Sequence, residues 1–262
     1  MPDQRKYVLS IAGFDPSAGA GLLADVKCFE QLGVYGFGVC SALTVQSDDR
    51  FTGVSWLGAG EIIAQLEPLL AKFEVRACKI GLIRDVEVLT EVTGYLRRVG
   101  SSMKLVLDPV LKSSSGFEFH AWNAGLLAGV LKQLDLITPN EEEIRILSAG
   151  KNAWQTAEDL AEHCPVLLKG GHNREAPGTD LLFLDGSLLE FKPGTGRVFQ
   201  KHGSGCVLSA SIVAGLALGC SLTEACKLGK WYTEAFLGSS PSLLGFHNRV
   251  PPDIKKTIKY EL

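Results

Sequence analysis

No segment of this 262-residue chain reaches 18 consecutive apolar residues, and its first residues lack a basic stretch leading into an apolar run. Hydropathy therefore offers neither a membrane-spanning helix nor a secretory leader. The expectation is a soluble, cytoplasmic protein with no membrane partner. Charge of one sign is not in excess either: 26 Lys and Arg stand against 29 Asp and Glu, a formal net charge of −3. No global basic surface advertises nucleic acid. The seven cysteines, Cys28, Cys40, Cys78, Cys164, Cys206, Cys220 and Cys226, form no CxxC pair and no Cys/His group at zinc spacing. Their odd number, and the place of most of them in apolar runs, fit free thiols in a reducing compartment. Internal repeats, low-complexity tracts and long linkers are missing. So is the GxxxxGKS/T signature of P-loop nucleotide binders, and the glycines at 13, 19 and 21 have the wrong spacing for a dinucleotide fingerprint.

What is present is ordinary in bulk and informative in order. Hydrophobic residues make up 46% and charged residues 21%, as in soluble globular proteins. The length allows one large α/β domain or two small ones, and the chain reads as a single unit, 1–262. Short apolar runs predict strands at Tyr7–Ala12, Gly38–Leu43, Ala77–Ile80, Leu105–Leu107, Leu136–Ile137 and Val166–Leu168. Helical periodicity fills the intervals at about 22–32, 61–73, 86–99, 122–133, 141–147 and 156–163. Thr44 to Arg50 reads as a polar loop. Asp185-Gly186 predicts a hairpin between Leu181–Leu184 and Leu188–Phe191. Two helices close the chain, at 207–218 and 222–237.

This alternation is the pattern of an α/β fold, a central mostly parallel sheet covered by helices on both faces. Ligands of such sheets bind at the carboxyl ends of the strands. Asp15, Gln46, Asp108, Asn140 with Glu143, and Lys169 all fall at that edge, and several polar groups sharing one edge favour an active site. The run His202-Gly203-Ser204-Gly205-Cys206 leads straight into an apolar helix. Its glycines permit a tight turn, and the helix leaves its first amides free to hold an anion, most often a phosphate. Cys206 would meet that anion with a side chain that can lose a proton. A helix amino terminus lowers a thiol pKa, whereas neighbouring phosphates raise it.

Gly13-Phe14-Asp15-Pro16-Ser17-Ala18-Gly19-Ala20-Gly21 resembles the entrance loop of the bacterial hydroxymethylpyrimidine and phosphomethylpyrimidine kinases of thiamine synthesis. Ala42-Leu43-Thr44-Val45-Gln46 resembles their second substrate segment. Lys79-Ile80-Gly81-Leu82, Leu107-Asp108-Pro109-Val110, Thr138-Pro139-Asn140 and Lys169-Gly170-Gly171-His172 follow in the family's order. His202 to Cys206 and the terminal Phe246-His247 complete it, so the resemblance runs from about Tyr7 to Asn248. It implies a ribokinase-like three-layer fold and a homodimer. The implied activity is transfer of a phosphoryl group from ATP, with Mg2+, to a small aromatic alcohol or its phosphate ester.

The resemblance also implies roles. Gly203, Ser204 and Gly205 hold the transferring phosphoryl group, and Cys206 takes the proton of the substrate hydroxymethyl. Lys169, a compact point charge, contacts the ATP phosphates. Asn140 and Glu143 organise Mg2+ through water, with Asp108 assisting metal or phosphate, while Glu141 and Glu142 are read as helix-capping charges. Asp15 and Gln46 read the aminopyrimidine, helped by backbone groups around Gly13 and Val45. Small residues Ser209, Ala210, Ala214 and Gly215 are read as packing against the sheet. His172 is read equally as approaching the nucleotide or as a loop histidine without a role, and Ser113 to Phe119 is read as a flap. The chain departs from the family at Ala18, where glycine is common, at Ser47, at Lys112 and at Lys201. A pyridoxal or pyridoxine kinase shares the fold and is the second reading. A sugar kinase is weaker, because aspartate usually stands in the place of Cys206. A silent small-molecule binder is the alternative of another class.

Overall fold

A computed structural model describes residues 6–112, 116, 119, 122, 124–148, 151–171 and 176–248. Nine strands form one sheet: β1 (Tyr7–Phe14), β2 (Tyr35–Gln46), β3 (Phe51–Trp56), β4 (Val75–Ile80), β5 (Lys104–Leu107), β6 (Leu136–Ile137), β7 (Val166–Leu168), β8 (Asp180–Leu184) and β9 (Ser187–Phe191). Their spatial order is β3-β2-β1-β4-β5-β6-β7-β8-β9. The strands from β2 to β7 pair in parallel, while β3, β8 and β9 are antiparallel at the two edges. The helices are α1 (Gly21–Gln31), α2 (Ala59–Leu70), α3 (Val86–Val99), α4 (Ala124–Leu131), α5 (Glu141–Leu147), α6 (Ala153–Ala161), α7 (Ser204–Ala217) and α8 (Leu222–Gly238). None among the described residues is long and apolar enough to cross a membrane.

Strand alternation splits the core into two layers. Leu9, Ile11, Leu105 and Leu107 face one side with Ile62, Leu89 and Ile144 of α2, α3 and α5. Val8, Val106 and Leu136 face the other with Phe29 of α1, Ile212 of α7 and Leu228 of α8. This is the two-sided burial that continuous apolar strands require. Helix α7 lies in the middle of the second layer and is buried nearly all round. Its Gly215 packs against Ala225 and Leu228 of α8, where a Cβ would sit 3.1–3.2 Å from their atoms. The small-residue stripe therefore serves the α7–α8 contact as well as the sheet.

The expected loop at Thr44 to Arg50 is strand as far as Gln46 and loop from Ser47 to Arg50. Residues up to Gln46 extend β2, and Phe51–Trp56 returns as β3 in a hairpin. The sheet order reverses between β1 and β4, since the chain builds outward to β2 before crossing back. Such a switch leaves a crevice beyond the strand ends. Gly13, Gln46, Gly81, Asp108, Asn140 and Lys169 all stand at that edge.

Candidate active site

Two helix starts converge on Cys206. Gly203 caps α7 in the left-handed region, at φ 78°, so Ser204, Gly205 and Cys206 form its first turn and the helix begins three residues before the expected Val207. Their amides have no partner within the helix. Gly21 opens α1, and its backbone slightly favours the Cys206 thiolate. Burial pushes that thiol up to about 11, against the lowering influence of Lys79. The helix start alone therefore does not make Cys206 a thiolate at neutral pH.

Gly203 also forms a close contact that only glycine permits. A Cβ there would lie 2.1 Å from the carbonyl oxygen of Gly19 and 2.7 Å from Ala20 Cα. Gly203→Ala is expected to cost about 1–3 kcal/mol in backbone strain. By shifting the loop it should also lower kcat/KM about 10²-fold. Steady-state kinetics with a urea unfolding curve check both effects. Wild-type kinetics at reduced stability would leave the turn a purely structural element.

Asp15 is wholly buried and presents no atom to the cavity. Its carboxylate accepts from Ser17 N at 2.8 Å, Ser17 Oγ at 2.8 Å and Ala20 N at 2.9 Å, and lies 2.9 Å from His202 Nε2. Burial alone would raise its pKa, but the bonds from His202, Ser17 and Ala20 hold it below the usual carboxylate range. With both oxygens engaged, Asp15 shapes the loop and ties it to the turn before α7; direct reading of a substrate amine is not what this arrangement offers. Val45 likewise turns its side chain to solvent, 63% exposed, and does not line the cavity. Gln46 does line it. Its amide donates to Thr44 Oγ1 at 2.8 Å, and that hydroxyl donates to the carbonyl of Phe14 at 2.8 Å. The expected flap at Ser113 to Phe119 falls mostly outside the described residues, as does His172.

A charge cluster closes the opposite wall. Lys169 Nζ lies 2.8 Å from Asp108 Oδ1 and 3.4 Å from Glu143 Oε2. It would stand 3.4 Å from a Cβ built on Gly205, which places the ammonium over the first turn of α7. Asp108 also accepts from Ser209 Oγ at 3.0 Å, a polar tie that reading Ser209 as mere packing did not anticipate. Two carboxylates thus share one lysine. Burial and the charge of Asp108 raise Glu143 to about 7 despite Lys169. Burial alone would raise Asp108 too, but Lys169 and Lys79 hold it low. Asn140 and Glu143 form a capping box at the start of α5, with Glu143 N donating to Asn140 Oδ1 at 2.9 Å and Asn140 N donating to Glu143 Oε2 at 2.7 Å. Glu141 and Glu142 stand in the first turn of α5 as expected of capping charges, while the capping hydrogen bonds themselves are made by this pair. Glu141 bridges to Arg145, and Glu142 to Lys112. Among the described residues no three His, Cys, Asp or Glu side chains group as a metal ligand set.

The family departures have local consequences. Ala18 adopts φ 56°, the left-handed backbone that glycine takes without strain. Lys201 is buried and donates to the carbonyls of Ser240 and Ser242, pinning the segment that follows α8.

These walls enclose a cavity of about 840 Å³, bounded by Gly13, Gln46, Lys79, Leu82, Lys169 and Cys206 among others. A second lobe of about 600 Å³, with Pro193, Arg197, Trp231 and Leu237 in its wall, meets the first at Asn140, Lys169, Ser204 and Gly205. Two ligand-sized lobes joined at a turn whose first amides lack helical partners suit a donor and an acceptor brought together.

Fold and site define a small-molecule kinase of the ribokinase-like class. The phosphomethylpyrimidine kinase family profile matches residues 15–250, and the chain belongs to that family. The hydroxymethylpyrimidine/phosphomethylpyrimidine kinase of Rhizobium meliloti (strain 1021) is 35% identical over 246 residues, covering 90% of this chain and 91% of its own length. That of Aquifex aeolicus is 35% identical over 242 residues, with 88% and 94% covered. The crystal structure of phosphomethylpyrimidine kinase from Clostridium difficile 630 matches with a TM-score of 0.73 and 30% identity, over 87% of this chain and 98% of that one. The pyridoxal kinase of Staphylococcus aureus in complex with AMP-PCP matches with a TM-score of 0.78 at 25% identity, over 90% and 89%.

Proposed function

We propose that the chain transfers the terminal phosphoryl group of ATP to the hydroxymethyl oxygen of 4-amino-5-hydroxymethyl-2-methylpyrimidine. It then transfers a second to the phosphate of the resulting monophosphate, for thiamine biosynthesis. The observation that carries this reading is the meeting of two lobes at Lys169, Ser204 and Gly205, with Cys206 facing the lobe that Gly13 and Gln46 close. The names of the relatives support the pyrimidine as acceptor.

The chemistry follows from position. Gln46 and the backbone at Gly13 hold the ring, leaving the hydroxymethyl toward Cys206. The Cys206 thiolate takes the hydroxyl proton as the oxygen bonds to the γ-phosphorus, and the bond from that phosphorus to the bridging oxygen of ADP breaks. Amides of the α7 first turn and the Lys169 ammonium meet the charge on the equatorial oxygens. With Glu143 ionised, Asp108 and Glu143 carry one carboxylate charge beyond what Lys169 neutralises. That excess fits a hard divalent cation held by one or two carboxylates, retained waters and substrate phosphates. Mg2+ held there would supply charge neutralisation on the phosphates. Asn140, its side chain committed to the capping box, acts by fixing the Glu143 carboxylate.

The same reading takes the chain as one kinase unit, supported by the single sheet through the described residues. It also takes the protein as a cytoplasmic homodimer, supported by the family resemblance of its motifs. Pyridoxal is the competing acceptor, also a ring bearing a hydroxymethyl, and the match to a pyridoxal kinase favours it.

Phosphorus NMR with Mg-ATP separates the two. The acceptors are hydroxymethylpyrimidine, its monophosphate and pyridoxal, each offered alone. The expected result is conversion of the monophosphate to a diphosphate. Phosphorylation of pyridoxal alone transfers the assignment to a vitamin B6 kinase, and binding without turnover of any acceptor makes the chain a silent binder.

A further inference from the structure

Lys79 is the penultimate residue of β4, beside its carboxyl end, on the strand face that meets α1 and α7, with no exposed side-chain surface. Its partner Asp25, on α1, is equally buried, and Lys79 Nζ reaches Asp25 Oδ1 at 2.5 Å. Ser10 Oγ, from β1, donates to the other carboxylate oxygen at 2.5 Å. The ammonium also donates to the backbone carbonyl of Cys206 at 3.4 Å. The lysine stem packs beside Gly81, where a Cβ would stand 3.6 Å from Lys79 Cε. This pair lies in the middle of a sheet otherwise filled by apolar side chains. A buried ion pair is a poor source of stability, often no better than apolar residues of the same volume. Folding does not account for its presence, whereas its location does: Lys79 and Cys206 line the same cavity wall.

We propose that Lys79, oriented by Asp25, is a positioning residue for Cys206. Its ammonium fixes the first turn of α7 through the Cys206 carbonyl and supplies the positive charge that favours the Cys206 thiolate. The charged groups around the thiol are Lys79 on β4, Asp25 on α1, Asp108 beyond β5 and Lys169 beyond β7. Of these, Lys79 exerts the largest lowering influence, opposing burial. Asp25 serves two ends at once, holding the ammonium in place and limiting how strongly it acts. The inference rests on Cys206 being the proton acceptor in the reaction.

The direct readout is the pH dependence of Cys206 alkylation by iodoacetamide, followed at the Cys206 peptide by mass spectrometry, because only the thiolate reacts. Removing an opposite charge at this range shifts a midpoint by about one pH unit or more, so Lys79→Gln should raise the midpoint by that amount. Asp25→Asn should shift it the other way, downward, since a negative charge leaves while the ammonium stays. Lys79→Gln should also lower kcat for the alcohol about tenfold with KM unchanged. A merely structural role would move both variants in the same direction and raise KM with them.

An unchanged midpoint in folded Lys79→Gln, or an upward shift in Asp25→Asn, overturns the proposal. If Lys79→Gln does not fold, Asp25→Asn decides alone: a lower midpoint supports, and an unchanged or higher one overturns. Cys206→Ser assayed in parallel keeps the two ideas apart. Full activity there removes Cys206 as proton acceptor, whereas the alkylation midpoints report on the Lys79 charge regardless.

Discussion

Lys169→Met is expected to lower kcat for both acceptors by about 10³-fold, the scale lost when one charge-stabilising donor leaves a phosphoryl or oxyanion site. The reason lies in three distances. Lys169 Nζ is within 2.8 Å of Asp108, 3.4 Å of Glu143, and 3.4 Å of the place a Gly205 Cβ would occupy. Among the described residues the ammonium is thus the one cation within ion-pair distance of both acids, and it overlies the turn proposed to receive the phosphoryl group. Methionine keeps most of the stem and removes the charge. Asp108 and Glu143 are then left buried together, and breaking a pair of this kind costs about 3–5 kcal/mol. A coupled ADP-release assay with a urea unfolding curve measures both losses. Wild-type kcat accompanied by lowered stability would confine Lys169 to a structural part.

Cys206→Ser separates the two phosphorylations. A serine hydroxyl in the same place is far too weakly acidic to stand ready as an oxyanion, so proton removal from the substrate alcohol loses its acceptor. General-base assistance is worth about 10²–10⁴-fold, and kcat for the alcohol is expected to fall by about 10³-fold on that scale. The monophosphate behaves differently, because a phosphate monoester has its second pKa near ~6 and already presents an ionised oxygen at neutral pH. Its phosphorylation should fall far less. Phosphorus NMR time courses with each acceptor read the ratio directly, and equal losses on both would make Cys206 a packing residue at the turn. The pH profile adds a sign. Burial raises the free thiol to about 11, and the base form grows as pH approaches that value. Hence kcat/KM for the alcohol climbs with pH across the neutral range in the wild type and not in Cys206→Ser.

The sheet was legible because its central strands are short apolar runs ended by polar residues, and nothing else in the chain has that shape. Asp108, Asn140 and Lys169 stand at the predicted edge for the same reason. The hairpin at β3 was not legible. Phe51-Thr52-Gly53-Val54-Ser55-Trp56 lies at a sheet edge, carries a glycine and is only partly covered, so neither periodicity nor burial marks it. Side-chain direction was the other loss. Asp15 looks like a ligand group in sequence, but the partner that consumes its oxygen, His202, is 187 residues away. Ser209 reads as a small packing residue until Asp108, 101 residues distant, is placed beside it. Lys79 carried a signal of its own, a charge in the midst of an apolar strand, whose meaning waited on Asp25.

The joint between the two loops has a practical side. Asp15 is bound to His202, and Gly203 leaves room for Gly19, so the loop proposed to admit the acceptor and the turn proposed to grip the phosphoryl group interlock as key and keyway. Anyone redesigning the acceptor preference by grafting residues 13–21 from another kinase must transplant the residues at 202 and 203 with them. A graft that ignores this match changes the grip on the phosphate at the same time as the choice of substrate.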